Sequence, residues 1–463
     1  MNFAPTNLTP LSPPPGAAPP PRVVAALRTA RIPLSLVALI GAWLFDFQSA
    51  GEGEGLAFQA IFLAIYLFGL AGFLIADRSM GRVIAGMNVF LIAGSIFLAV
   101  GIVSGMVHGQ QIYPILRNAI SVLVYVSIAY VIARAMVSYD LKVLRRFLGI
   151  ACLAYAVSTF LIYSAMSGGI DVTSVRFQIV GTSTIAALAY VSLSVLFKLN
   201  FIELAALGAN AVILLLSVTR TYLFALAAQA AVLLLGYRRL FGAKFIFVII
   251  AGLIALGGLQ LFGQSQIERW RGRFVGEGSS YSEYETYYTR LGEWNFMYDS
   301  WTSAPREFLI GSGLAAETTY FYSSEQGGGA EHMIGFGHNH YLSTVFTAGA
   351  LGGLPLLILQ VLQGILAVRF LSKVVRRPDL RSDIVFLGAW GAMIILGTLA
   401  ANLFLNSYTQ RGMALWYGIG TGLLLAAASG ASSANAPPAQ PRGRRAVRGK
   451  PAPRRPFTGT FVR

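Results

Sequence analysis

The chain has 463 residues, of which 56% are hydrophobic and 12% charged, and its formal net charge is +16. A soluble domain averages about 25% charged residues, so a water-soluble globule is excluded for want of polar surface. The single cysteine, Cys152, excludes an internal disulfide and a Cys-based zinc site.

The first segment, 1–30, is rich in Pro and Ala, lacks an apolar stretch and reads as a disordered cytoplasmic arm with no cleavable signal peptide. Apolar runs follow at 33–48, 56–76, 83–106, 114–136, 147–166, 178–197, 200–218, 221–237 and 244–264, then at 341–371, 383–405 and 411–428. A span needs roughly 20 apolar residues, so the expected class is an all-α polytopic membrane protein with about 12 transmembrane helices. Nine of these are expected within 31–264 and the last three within 341–428, with one long outer segment at 265–340. The run at 341–371 is long for one span and is expected to tilt or to extend beyond the bilayer. The tail at 429–463 is low in complexity and basic, with Arg442, Arg444, Arg445 and Arg448. It reads as a disordered cytoplasmic anchor touching anionic lipid. No folded nucleic-acid reader accompanies it, so nucleic acid is not an expected partner.

Charge sets the orientation. With the N-terminus inside, alternate loops carry Arg78 with Arg82, Lys142 with Arg145 and Arg146, Lys198, Lys244, and Lys373 with Arg376 and Arg377. Every lysine falls on that side, as the positive-inside rule requires. The opposite, non-cytoplasmic side has no lysine but keeps Arg176, Arg220, Arg269, Arg271, Arg273, Arg290 and Arg306. Arginine grips phosphate and carboxylate oxygens bidentately, so its retention where topology disfavours positive charge suggests an anionic ligand on that face. Tyr284, Tyr287, Tyr288, Leu291, Trp294, Tyr298 and Trp301 recur at helical spacing. They predict a helix that caps the bundle or lies at headgroup depth, ended at Ser303 to Pro305.

Three places carry candidate chemistry. Arg220 stands between two apolar runs with almost no loop, where it reads as a snorkelling interface arginine or as an anion ligand. Arg290 flanks the aromatic stripe and reads as an exposed pair with Glu293 at i+3 or as a second ligand. In Gly337-His338-Asn339-His340-Tyr341-Leu342 a histidine meets the start of an apolar helix. The positive end of the helix dipole disfavours the imidazolium there, leaving a neutral ring able to accept a proton. Asn339 caps that helix or orients a substrate hydroxyl. The alternative for the pair is plain capping beside an interfacial histidine. His338 and His340 lie about 200° apart on a helix, so one of them faces a shared site. There is no H-E-x-x-H or C-x-x-C pattern and no nucleotide-binding glycine loop, so neither a metal nor a cofactor is expected.

Val218-Thr219-Arg220-Thr221 lies between two spans, and Thr289-Arg290-Leu291-Gly292-Glu293-Trp294 follows it. Next come Ile310-Gly311-Ser312-Gly313-Leu314 and His338-Asn339-His340-Tyr341-Leu342, running into Ala348-Gly349-Ala350-Leu351-Gly352-Gly353. In this order they resemble the superfamily of O-antigen ligases and O-antigen polymerases over about 170–355. Arg176, in Val175-Arg176-Phe177, is similar to a further family position.

The resemblance implies a GT-C-like fold and an inverting, metal-independent glycosyltransferase in the bacterial inner membrane. Its active site would face the periplasm. It implies an undecaprenyl pyrophosphate-linked glycan as donor and a lipid A-core or glycan acceptor. By position it gives His338 as the catalytic base, with Arg220, Arg290, Arg176 and Asn339 on the pyrophosphate or glycan. His340, a second histidine, departs from the pattern. Ligase is the first expectation and polymerase the alternative, the two differing in acceptor. A lipid or solute transporter is the distant one, disfavoured because no matched pair of broken helices marks two halves.

Overall fold

The computed structural model describes residues 31–46, 56–77, 84–166, 181–217, 219–236, 283–322, 329–334, 337–377 and 382–434. The helices are α1 (Leu34–Gly41), α2 (Leu56–Ala76), α3 (Met87–Val107), α4 (Ile112–Ser138), α5 (Leu141–Met166), α6 (Thr184–Leu196), α7 (Phe201–Ser217) and α8 (Arg220–Gly236). After them come α9 (Glu283–Thr302), α10 (Pro305–Ile310), a hairpin of β1 (Glu317–Tyr322) and β2 (Gly329–Ile334), α11 (His340–Ala348), α12 (Leu354–Arg376), α13 (Asp383–Ala401) and α14 (Arg411–Ala434).

Among the described residues, seven helical stretches are long and apolar enough to cross a membrane, and α6, α7 and α8 are shorter apolar helices. The protein is therefore membrane-embedded, and its frame is helical. The expected helices at 56–76, 114–136, 200–218 and 383–405 stand where α2, α4, α7 and α13 form. The apolar run at 244–264, Arg176, the arm and the tail beyond Ala434 lie outside the described residues, while 429–434, expected to open the disordered tail, continue α14.

Two local features interrupt the helical frame. The first is the hairpin, antiparallel with Glu317 opposite Ile334 and Tyr322 opposite Gly329. Its first strand, Glu-Thr-Thr-Tyr-Phe-Tyr, is rich in the β-branched and aromatic residues that suit strands. The second is a break. Between α11 and α12 the chain runs through a π-helical turn, Gly349–Gly353. Gly349 has φ 58° and ψ −162°, a region open essentially to glycine alone. The loop after α10 fills the break: the N–H of Ser312 donates to the Phe346 carbonyl (2.7 Å) and that of Gly313 to the Thr347 carbonyl (2.9 Å). Backbone groups that the π turn frees are thus bonded within the protein, as an apolar surrounding requires.

The core is aromatic and closely packed. Among the described helices α14 and α4 share the most extensive interface, because Gly418 and Gly422 face the backbone of Tyr125 and Ala129 so closely that a Cβ would collide. Such small-residue spacing is a common device for bringing helices together in lipid. Tyr125 stacks on Tyr417 at 4.6 Å, and Tyr190 on Trp390 at 4.9 Å. The Trp390 indole N–H donates to the Ala186 carbonyl at 2.8 Å, so burial leaves it partnered.

Charged groups gather at two ends of the bundle. One end holds the buried pair Arg134–Asp77 (2.9 Å) and the Arg145–Glu203 pair (2.6 Å). Lys142 and Lys198 are also there, lining one cleft with Arg145 and Asp383. The other end holds Arg411–Asp46 (2.7 Å), His108–Glu307 (3.4 Å) and His338–Glu293 (3.1 Å).

Candidate functional site

At the end of the bundle that carries no lysine among the described residues, α9 organises the packing. Met297 on α9, Ala316 and Phe346 of α11 form a small buried cluster, with Trp294 and Leu342 against it. This seats the middle of α9 beside the start of α11. Gly337 makes the approach possible, since a Cβ there would stand 2.7 Å from the Met297 sulfur and 2.8 Å from Glu293 Oε1.

Glu293 is the residue around which the site closes. Its side chain is fully buried. Oε1 accepts the backbone N–H of His338 at 2.8 Å, and Oε2 lies 3.1 Å from His338 Nδ1. Arg290 Nη1 donates to Oε2 at 3.3 Å. Burial raises the Glu293 carboxyl from its ordinary 4.5 to about 7, with the Arg290 charge acting in the opposite direction. When ionised, this carboxylate accepts only. It then holds the His338 proton on Nδ1 and leaves Nε2 as the basic nitrogen, as an orienting carboxylate does for a catalytic imidazole.

The neighbouring residues are fixed differently. Asn339 is the N-cap of α11: its Oδ1 accepts the Leu342 N–H at 3.0 Å, and its Nδ2 donates to the Leu403 carbonyl at 3.3 Å. Of the two roles open to it in the sequence, the cap is the one its side chain fills. His340 is wholly buried, with Nδ1 3.0 Å from Asn406 Oδ1 and Nε2 3.1 Å from Gln360 Oε1, and the Tyr408 ring 4.7 Å away. His338, by contrast, keeps 27% of its side chain exposed.

Arg220 opens α8 at the same end. One turn further, Phe224 meets the Phe404 ring at 5.2 Å, and Phe404 also meets Trp294 at 6.3 Å. Arg290 precedes Trp294 by one turn, as Arg220 precedes Phe224. A single ring, Phe404, therefore ties both arginine-bearing turns together, and both side chains are half-buried. The link after α13 that carries Phe404 also supplies the Asn402 carbonyl to the His340 N–H at 3.0 Å. Arg220, Arg290, His338 and Asn339 thus share one end of the bundle.

Sequence reasoning missed the main role of Glu293. It stood only as the i+3 partner of Arg290, while its bond to His338 spans 45 positions and leaves no mark in local spacing. Asn402 and Asn406 were missed as well. They fall in the short link after an apolar run, where their only signal is two amides beside hydrocarbon. Comparison of the chain with family models and with curated proteins returns no match.

Proposed function

We propose that the chain is an inverting glycosyltransferase of the O-antigen ligase type. It takes a glycan from undecaprenyl pyrophosphate and joins it to a sugar hydroxyl of lipid A-core, at the periplasmic face of the bacterial inner membrane. The observation that carries this reading is the buried Glu293 carboxyl holding the half-exposed His338 ring through Nδ1, beside two arginine-bearing turns.

The chemistry follows from those groups. His338 Nε2 takes the proton from the acceptor hydroxyl, which general-base assistance makes about 10²–10⁴-fold faster. The freed oxygen attacks the anomeric carbon from the face opposite the pyrophosphate. The bond from that carbon to the pyrophosphate oxygen breaks, and the electron pair leaves with undecaprenyl pyrophosphate. Arg220 and Arg290 neutralise the charge that develops on the leaving phosphates, a contribution typically worth about 2.7–4 kcal/mol per lost donor. The donor is already activated, so the reaction draws on no cytosolic nucleotide and needs no metal to stabilise its leaving group.

The test is a deletion strain whose surface glycans are resolved on a gel. The expected result is loss of glycan from lipid A-core with lipid-linked polymer retained. Accumulation of single repeat units would overturn the ligase assignment in favour of a polymerase. Unchanged glycans with loss of proton-driven uptake would overturn glycan transfer itself.

A further inference from the structure

We propose that the lysine-bearing end of the bundle carries a site for the phosphate headgroup of an anionic phospholipid, separate from the glycan-transfer end. A cleft of about 290 Å³ opens there, lined by Lys142, Arg145, Arg146, Lys198, Asn200 and Asp383. Four cations face one carboxylate along its walls. Three helices, α5, α7 and α13, begin at this cleft, and helix starts carry the positive end of the peptide dipole.

The walls are fixed. Arg145 donates to both Glu203 oxygens, at 2.6 and 2.8 Å, to Asp383 Oδ1 at 3.3 Å and to the Lys198 carbonyl at 3.0 Å. Its guanidinium also lies 3.5 Å from the centre of the Phe386 ring. Asn200 and Glu203 cap α7 reciprocally: the Asn200 N–H donates to Glu203 and the Glu203 N–H to Asn200 Oδ1. With Arg145 bound to carboxylates, the charge offered to a ligand comes from Lys142, Arg146 and Lys198, all exposed.

A phosphate on any carrier would suit such a recess, and basic recesses between membrane helices suit phospholipid headgroups. The flanking surface favours a lipid. On the helices that line the cleft, Phe201 is 84% exposed, and Leu204 and Ile150 are each 52% exposed. These side chains give acyl chains an apolar path down from the headgroup.

The experiment uses the purified full chain in detergent, titrated with phosphatidylglycerol and, separately, phosphatidylcholine, with bound lipid counted by native mass spectrometry. Phosphatidylglycerol should be retained in preference. Each cation near a membrane surface contributes about 1 kcal/mol, so the K142Q/R146Q/K198Q variant should bind it about a hundredfold more weakly. The K373Q/R376Q/R377Q variant removes equal charge from positions that do not line the cleft and should stay within about threefold of the parent. D383N removes the lining carboxylate and should tighten binding, a gain that misfolding would not produce. Equal losses in the two triple variants, or weaker binding by D383N, would overturn the site. Displacement by millimolar inorganic phosphate without any preference for phosphatidylglycerol would assign the recess to a free anion and overturn the lipid.

Discussion

His338 and His340, two positions apart, meet opposite surroundings, and their substitutions should fail in opposite ways. His338→Ala removes a partly exposed ring and one of several bonds to Glu293, so turnover should fall about 10²–10⁴-fold with a smaller drop in melting temperature than His340→Ala causes. His340→Ala leaves the buried Asn406 and Gln360 each short of a partner, at a cost of about 1–3 kcal/mol apiece. Its melting temperature should drop while turnover per folded molecule changes little. Purified-membrane assays beside thermal unfolding separate the two, and a dead but stable His340→Ala protein would show that the wrong ring had been assigned. Glu293 adds a pH signature. Its folded value of about 7 lies above the ordinary 4.5, so the protonated form is the one the fold prefers. The stability this contributes is fully present below about 4.5 and is lost as pH rises through about 7. Activity needs the ionised carboxylate and should run the other way, falling on the acid side with a midpoint near 7. Glu293→Gln should remove the loss of stability between about pH 4.5 and 7 and lose about 10²-fold or more in turnover, because an amide can impose the wrong imidazole tautomer. The sequence made His338, Asn339, Arg220 and Arg290 visible through their helix ends and wrong-side charge. It hid the carboxylate that joins two of them, because burial and a long-range bond cannot be read from local spacing.

At the scale of elements, the apolar runs at 56–76, 114–136, 200–218 and 383–405 translated into helices, while that at 33–48 gives only the eight-residue α1. The break in 341–371 was not legible, because its cause is distributed over two segments. Gly311, with φ 71° and ψ −172°, and Gly349 approach each other so closely that a Cβ on either would meet the other's backbone. The hairpin was hidden by its setting within an aromatic, glycine-rich stretch that also carries a helix. The glycine pair gives a graded expectation. Gly109 also has a positive φ, 68°, but open space around it, so Gly109→Ala should cost only about 1–2 kcal/mol of backbone strain. Gly349→Ala adds a collision with the Leu309 carbonyl, and should lower thermal stability well beyond Gly109→Ala. Equal melting temperatures for the two variants would mean that the seal between α10 and the break contributes nothing.

At the scale of the whole molecule, charge is the organising quantity. Lys142 and Lys198 share one cleft, and Lys373 lies in the last turn of α12. The buried Glu293 and the arginine-bearing turns stand at the opposite end. An impermeant amine reagent applied to intact spheroplasts should therefore leave Lys142, Lys198, Lys244, Lys373 and Lys450 unmodified, with all five reacting after permeabilisation. Modification of Lys198 before permeabilisation would invert the orientation, and the proposed face of glycan transfer with it. The Arg411–Asp46 bridge bears on how the chain is made. It joins the turn after the first described helix to the start of the last across 365 positions, with Arg411 also donating to Gln59. Arg411 follows Asp46 by 365 positions, so during synthesis the turn carrying Asp46 enters the bilayer before its direct partner exists. A chain that stops short of Arg411 lacks this direct partner and keeps only the more distant charge of Arg117 to offset the burial of Asp46.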